Sequence, residues 1–75
     1  MFYFHVSDGA TNLDRDGTDL PDLAAAQAEA VATIADILHD GNVNFLWAGK
    51  PLRVWVTDQP NESGKVLFTL NVTAT

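Results

Sequence analysis

Two histidines, ten acidic residues, four basic residues and no cysteine make up the reactive repertoire of this 75-residue chain. His5 and His39 are too far apart in sequence to suggest a pair. Neither has a second ligand one helical turn away or a cysteine beside it, so no metal site is assigned to them. The run Asn12-Leu13-Asp14-Arg15-Asp16-Gly17 sets oxygen-bearing side chains at alternate positions before a glycine, like the first half of a calcium loop. The second half fails, because Leu23 stands where a bidentate glutamate is needed. The expected reading is a polar turn whose aspartates accept from their own backbone. Ser7 and Ser63 lie in turns without a glycine-rich elbow, and there is no phosphate-cradling loop or positioned acid–base pair. No catalytic residue, metal or cofactor is assigned, and a non-enzymatic role is expected.

A second kind of chemistry is recognition, and here the pattern is richer. Residues 2 to 6 alternate, with Phe2, Phe4 and Val6 on one side and Tyr3 and His5 on the other, as a half-buried strand requires. Leu52, Val54 and Val56 alternate with Arg53, Trp55 and Thr57. Val66, Phe68, Leu70 and Val72 alternate with Leu67, Thr69 and Asn71. If the apolar set faces a core, the other set forms a patch of Tyr3, His5, Arg53, Trp55, Thr57, Leu67 and Thr69, with Asn71 beside it. Aromatics, a histidine and an arginine side by side are what association surfaces use.

The elements that must position these residues follow from turns and periodicity. Asp8-Gly9 predicts a hairpin turn into a weaker strand near residues 11–14, which Asp16-Gly17 closes. From Asp22 to His39, Leu23, Ala26, Ala30, Ile34 and Leu38 recur at helical spacing opposite Glu29, Thr33, Asp36 and Asp40. Asp22 or Asp19 can cap this helix, and Gly41 is expected to end it in the left-handed conformation. His39 suits the negative helix end, whereas Asp36 and Asp40 oppose it and call for a cation such as Lys50 or Arg53. Residues 42–50 read as a loop in which Phe45, Leu46 and Trp47 fold over an open edge of the core. Residues 58–64 form a turn-rich loop between the last two strands.

The resulting expectation is one α+β domain over residues 1–75: a two-layer ββαββ fold, with a small, mostly antiparallel four-stranded sheet and one helix on one face. One helix can cover only one face of such a sheet. The opening residues suit a strand better than a secretory leader, and there is no apolar run long enough to span a bilayer, so a cytoplasmic location is expected. In that setting the glycosylation sequons at Asn61-Glu62-Ser63 and Asn71-Val72-Thr73 carry no meaning. A formal charge of -6 argues against nucleic acid, since readers that stack bases on aromatics also need a positive groove.

The order and spacing of several short motifs carry a resemblance. Tyr3-Phe4-His5-Val6, Asp8-Gly9, Asp16-Gly17, Leu20-Pro21-Asp22-Leu23 with Ala26 and Ala30, Val56-Thr57-Asp58, and Gly64-Lys65-Val66-Leu67 together resemble a family of small uncharacterised bacterial proteins, a domain of unknown function. The resemblance covers most of the chain and departs from the family pattern in the longer 58–64 loop. It implies no activity, ligand or catalytic residue.

The functional expectation rests on the patch. A domain this small has a thin core and gains from pairing, so the protein is expected to be a non-enzymatic association module. It would form a homodimer or bind another protein through the open sheet face. The alternative is an antitoxin-like or regulatory acidic subunit engaging a basic protein partner. Calcium or small-ligand binding ranks below both.

Overall fold

The computed structural model describes residues 1–61 and 64–75. β1 (Tyr3–Ser7), β2 (Thr11–Asn12), α1 (Leu23–Asp40), α2 (Asn44–Trp47), β3 (Leu52–Thr57) and β4 (Val66–Val72) follow one another along the chain. The strands form one antiparallel sheet in the order β2-β1-β3-β4. This is the expected α+β architecture, with α2 added inside the predicted loop. The 58–64 loop includes residues 62 and 63, which lie outside the described residues, as does part of the first sequon.

Pleat parity places the core. Leu52, Val54 and Val56 of the central strand β3 are fully buried, as are Ala26 and Ala30 of α1. Phe2, Phe4, Val6, Ile34, Phe68 and Leu70 pack around the cluster of Ala30, Val54 and Val56. The alanines let the helix backbone approach the sheet closely, while the branched side chains of β3 fill the space between the layers. Each fully buried valine or leucine contributes about 1.5–3 kcal/mol by leaving water.

α1 begins where the sequence indicates, with Asp22 Oδ1 accepting from the Ala25 N–H at 2.8 Å. It runs one residue past His39, and its end differs from expectation. Gly41 has φ -86° and ψ 164°, so it is not left-handed. Its N–H donates to Ile37 O at 2.9 Å, and a Cβ here would lie only 2.6 Å from that oxygen. Close approach, not positive φ, is what this position requires. His39 and Asp40 form an exposed pair at 2.6 Å. Arg53 lies on the opposite side of the sheet from α1, so it does not offset the acidic end of the helix.

Two further corrections concern side-chain direction. α2 buries Leu46 and half-buries Phe45, but Trp47, on the next step around this short helix, is 78% exposed and does not close the core edge. In β4 the register shifts: Val56 pairs with Phe68, whereas Thr57 pairs with Val66, leaving Leu67 as the extra residue of a bulge. Leu67 therefore packs against the core cluster and leaves the outer patch. Val66, expected to face inward, is 50% exposed.

Candidate functional site

The outer face of the sheet, away from α1, is built from three rows. Tyr3 stands opposite Thr57; His5 opposite Trp55, which is opposite Thr69; and Ser7 opposite Arg53, which is opposite Asn71. The patch residues thus meet on one side, apart from Leu67. They do not share one environment.

The segment after β2 divides the face. Val6 pairs with Asn12 and Phe2 bridges Thr18, so residues 3–5 of β1 are spanned by residues 13–17. The spanning segment is longer than the stretch it crosses, and the excess arches over the outer face. Asp14 secures the arch. Its Oδ2 accepts from the Phe4 N–H at 3.1 Å, and its Oδ1 accepts from the N–H groups of Asp16 and Gly17, each at 3.1 Å. The last two bonds form the expected aspartate turn, and the first ties that turn to β1. Burial, the largest single influence on this carboxyl, pushes its pKa up. The N–H donors of Phe4, Gly17 and Asp16 outweigh it and hold the group below the usual carboxylate range.

Beneath the arch, His5 is completely buried and Thr57 is 2% exposed. These two were expected on an open surface; instead the 13–17 segment is bonded over His5, and Thr57 is bonded to His5 and to the loop after β3. The Asp14 N–H donates to His5 Nδ1 at 3.0 Å. Nδ1 is then the bare nitrogen, and Nε2 carries the hydrogen toward Thr57 Oγ1, 2.8 Å away. The Thr57 hydroxyl in turn donates to Gln59 O at 2.6 Å. The chain of donors runs from Asp14 through the imidazole to the loop after β3, and the Asn61 N–H returns to Asp14 O at 3.0 Å. Two loop regions and the strands β1 and β3 are tied through one neutral imidazole. A protonated ring would have no lone pair for the Asp14 N–H. No buried side-chain nitrogen or oxygen among the described residues lacks a partner.

Tyr3 also lies under the arch. Gly17 has φ +74°, and a Cβ on it would come within 2.8 Å of both Tyr3 Cε2 and Met1 Cγ. Glycine is needed here for conformation and for space alike.

The rest of the face stays uncovered. The Arg53 guanidinium lies 4.7 Å from the Trp55 ring centroid, a cation–π contact. Trp55 is half-buried and leans on the closed half, its ring centroid 5.4 Å from that of His5 with the planes tilted by 37°. Arg53, Thr69 and Asn71 are exposed. Nothing in the sequence indicated the partnership of Asp14 with His5. An Asp-x-Asp-Gly turn announces its local bonds, but not the strand it will lie across.

Among the described residues no group of three or more His, Cys, Asp or Glu side chains is placed to hold a metal ion, and no enclosed pocket is formed. Both carboxylate oxygens of Asp14 are taken up by backbone N–H groups. No helix is long and apolar enough to cross a membrane.

Fold and face together define a small α+β domain with a one-sided helical layer and a half-covered outer sheet. The chain belongs to the family described as a domain of unknown function (DUF6894), whose model matches residues 1–73. Neither the curated proteins nor the solved structures contain a match to it.

Proposed function

We propose that this protein is a non-catalytic association module that holds a protein partner against the uncovered half of its outer sheet face. The observation that carries this reading is the Arg53–Trp55 pair, 4.7 Å apart on the side of the sheet without a helix. Arginine and tryptophan contribute disproportionately to interface energy, and a guanidinium already resting on an indole loses less freedom when a partner engages it. Arg53 is one of only four basic residues in a chain of formal charge -6. The matching partner surface offers a carboxylate to the guanidinium and an apolar group to the indole. The non-catalytic reading is supported by His5, whose two ring nitrogens are engaged under the arch and are not presented to a substrate.

The test is site-specific photocrosslinking in the producing cells, with a benzophenone amino acid at position 55 and a control at the exposed position 47. A discrete adduct formed from position 55, absent from position 47 and lost with Arg53→Ala, is the expected result. Equal adduct patterns from both positions, or none from position 55, would overturn the reading.

A further inference from the structure

The two edges of the sheet are unlike. β2 is two residues long, whereas β4, at the other edge, has seven. Free edges are usually blunted by charge, proline or shortness, because their unpaired N–H and C=O groups invite another strand. Val66-Leu67-Phe68-Thr69-Leu70-Asn71-Val72 contains no charged residue and no proline. Its bulge lies at Leu67, so the stretch from Phe68 onward is regular. Phe68 and Leu70 belong to the core side yet remain only half-buried at the sheet margin.

From this edge we infer that β4 pairs antiparallel with β4 of a second copy, about a twofold axis near Leu70, joining two four-stranded sheets into one of eight strands. A second copy is the occupant that the strand itself specifies. Antiparallel self-pairing about Leu70 sets Phe68 opposite Val72, Leu70 opposite Leu70 and Thr69 opposite Asn71. Apolar residues then meet on the helix side and polar residues on the outer side, so both pleats stay in phase. Electrostatics permits it as well. The chain's net charge of -6 arises entirely outside β4, which lets two like-charged molecules join along a neutral seam. Each copy brings its α1 to the same side of the joined sheet. Phe68 and Leu70 of one copy are then sheltered by the apolar side chains of the other. On the opposite side the two Arg53–Trp55 pairs are displayed together, although the pairing does not depend on what those residues bind.

Sedimentation velocity over a dilution series, combined with amide hydrogen exchange, tests the inference on the unaltered chain. A monomer–dimer equilibrium is expected. At dimer concentrations, alternate β4 amides, those pointing away from β3, should slow by roughly tenfold or more. The double variant Thr69→Lys/Asn71→Lys, which changes two exposed positions and sets like charges opposite each other, should stay monomeric with an unchanged far-UV spectrum. Arg53→Ala should dimerise as the parent does, which separates this inference from the reading of the outer face. A monomer at every concentration overturns the inference. So does a dimer whose outward β4 amides exchange as fast as in the monomer, which would place contact elsewhere. The exchange measurement decides even if the lysine variant fails to fold.

Discussion

Two halves of one sheet face differ sharply in this protein. His5 and Trp55 face each other across β1 and β3 on the same side of the pleat. His5 is sealed within a hydrogen-bonded network, while Trp55 remains half-buried beneath an exposed arginine. Strand parity is the same for both; the cover is not. The extra length of residues 13–17 over residues 3–5 forms an arch that reaches the His5 row but stops short of Arg53. Alternation in a strand says on which side a residue stands, and a separate segment decides whether that side meets water. In this fold the covered half spends its polar groups on holding the chain together. The uncovered half keeps its polar groups available.

The comparison is broken most forcefully at His5. Replacing it with alanine strips the acceptor from the half-buried Asp14 N–H, a loss of about 1–3 kcal/mol for an orphaned group, and takes one of its two hydrogen bonds from Thr57 Oγ1, which keeps the bond to Gln59 O. His5→Ala should therefore lower unfolding stability by roughly 2–5 kcal/mol in chemical denaturation, with the lost packing included. Combined with Thr57→Val, the loss should fall short of the sum of the single losses, because both act on one hydrogen-bonded chain. An additive pair, or a His5→Ala loss no larger than that of Arg53→Ala, would show that the arch does not depend on the imidazole.

Next in size is Gly17→Ala. A methyl group here meets Tyr3 and Met1 at 2.8 Å in a backbone with φ +74°. The expected loss is about 1–3 kcal/mol, with faster amide exchange for Asp14 and Phe4 as the arch loosens. Gly17→Ala combined with Tyr3→Ala should recover the part due to collision and leave the part due to conformation. No recovery would place the cost in the backbone and the Met1 contact, not in Tyr3.

Much of this fold is legible in the residues themselves. Helix entry at Asp22, the inward set on β3 and the succession of two strands, a helix and two strands along the chain follow from capping, alternation and turns, whereas the order of strands within the sheet does not. What escaped depends on contacts between distant parts of the chain. The bulge that turns Leu67 toward the core exists because Val56 and Thr57 choose partners two residues apart on β4, which no pattern within 66–72 declares. The burial of His5 has a similar origin, since it requires Asp14 to cross β1. The patch was therefore legible as a side of the sheet and illegible as a surface. Of its named residues, Arg53 and Thr69 remain exposed and Trp55 and Tyr3 half-buried, while His5, Thr57 and Leu67 serve the fold.

Acid offers a gentler way to separate the halves. Because the Asp14 carboxyl titrates below its ordinary range in the folded chain, its bonds contribute stability that is complete above about pH 4 and is lost as the pH falls through the lowered value. Asp14→Asn keeps an acceptor for one bond and has no charge to lose. The parent should be the more stable of the two at pH 7, and the gap should narrow steadily in denaturation curves taken below pH 4. A gap that is constant with pH would mean that the bonds, and not the charge, carry the difference.

The smallest stability effect is expected on the uncovered half, and its size relative to binding is informative. Arg53→Ala removes a cation–π contact at an exposed site, worth about 0.5–1 kcal/mol, and disturbs no buried partner. Its unfolding midpoint should lie close to that of the parent, as expected for a surface change away from any cap or core. The same substitution should abolish the adduct formed through position 55. A residue that matters to a partner but hardly to the fold is what the uncovered half requires, just as His5 is the opposite case on the covered half. If Arg53→Ala instead destabilised the chain as much as His5→Ala, Arg53 and Trp55 would belong to the structural network, and both halves of the face would be scaffold.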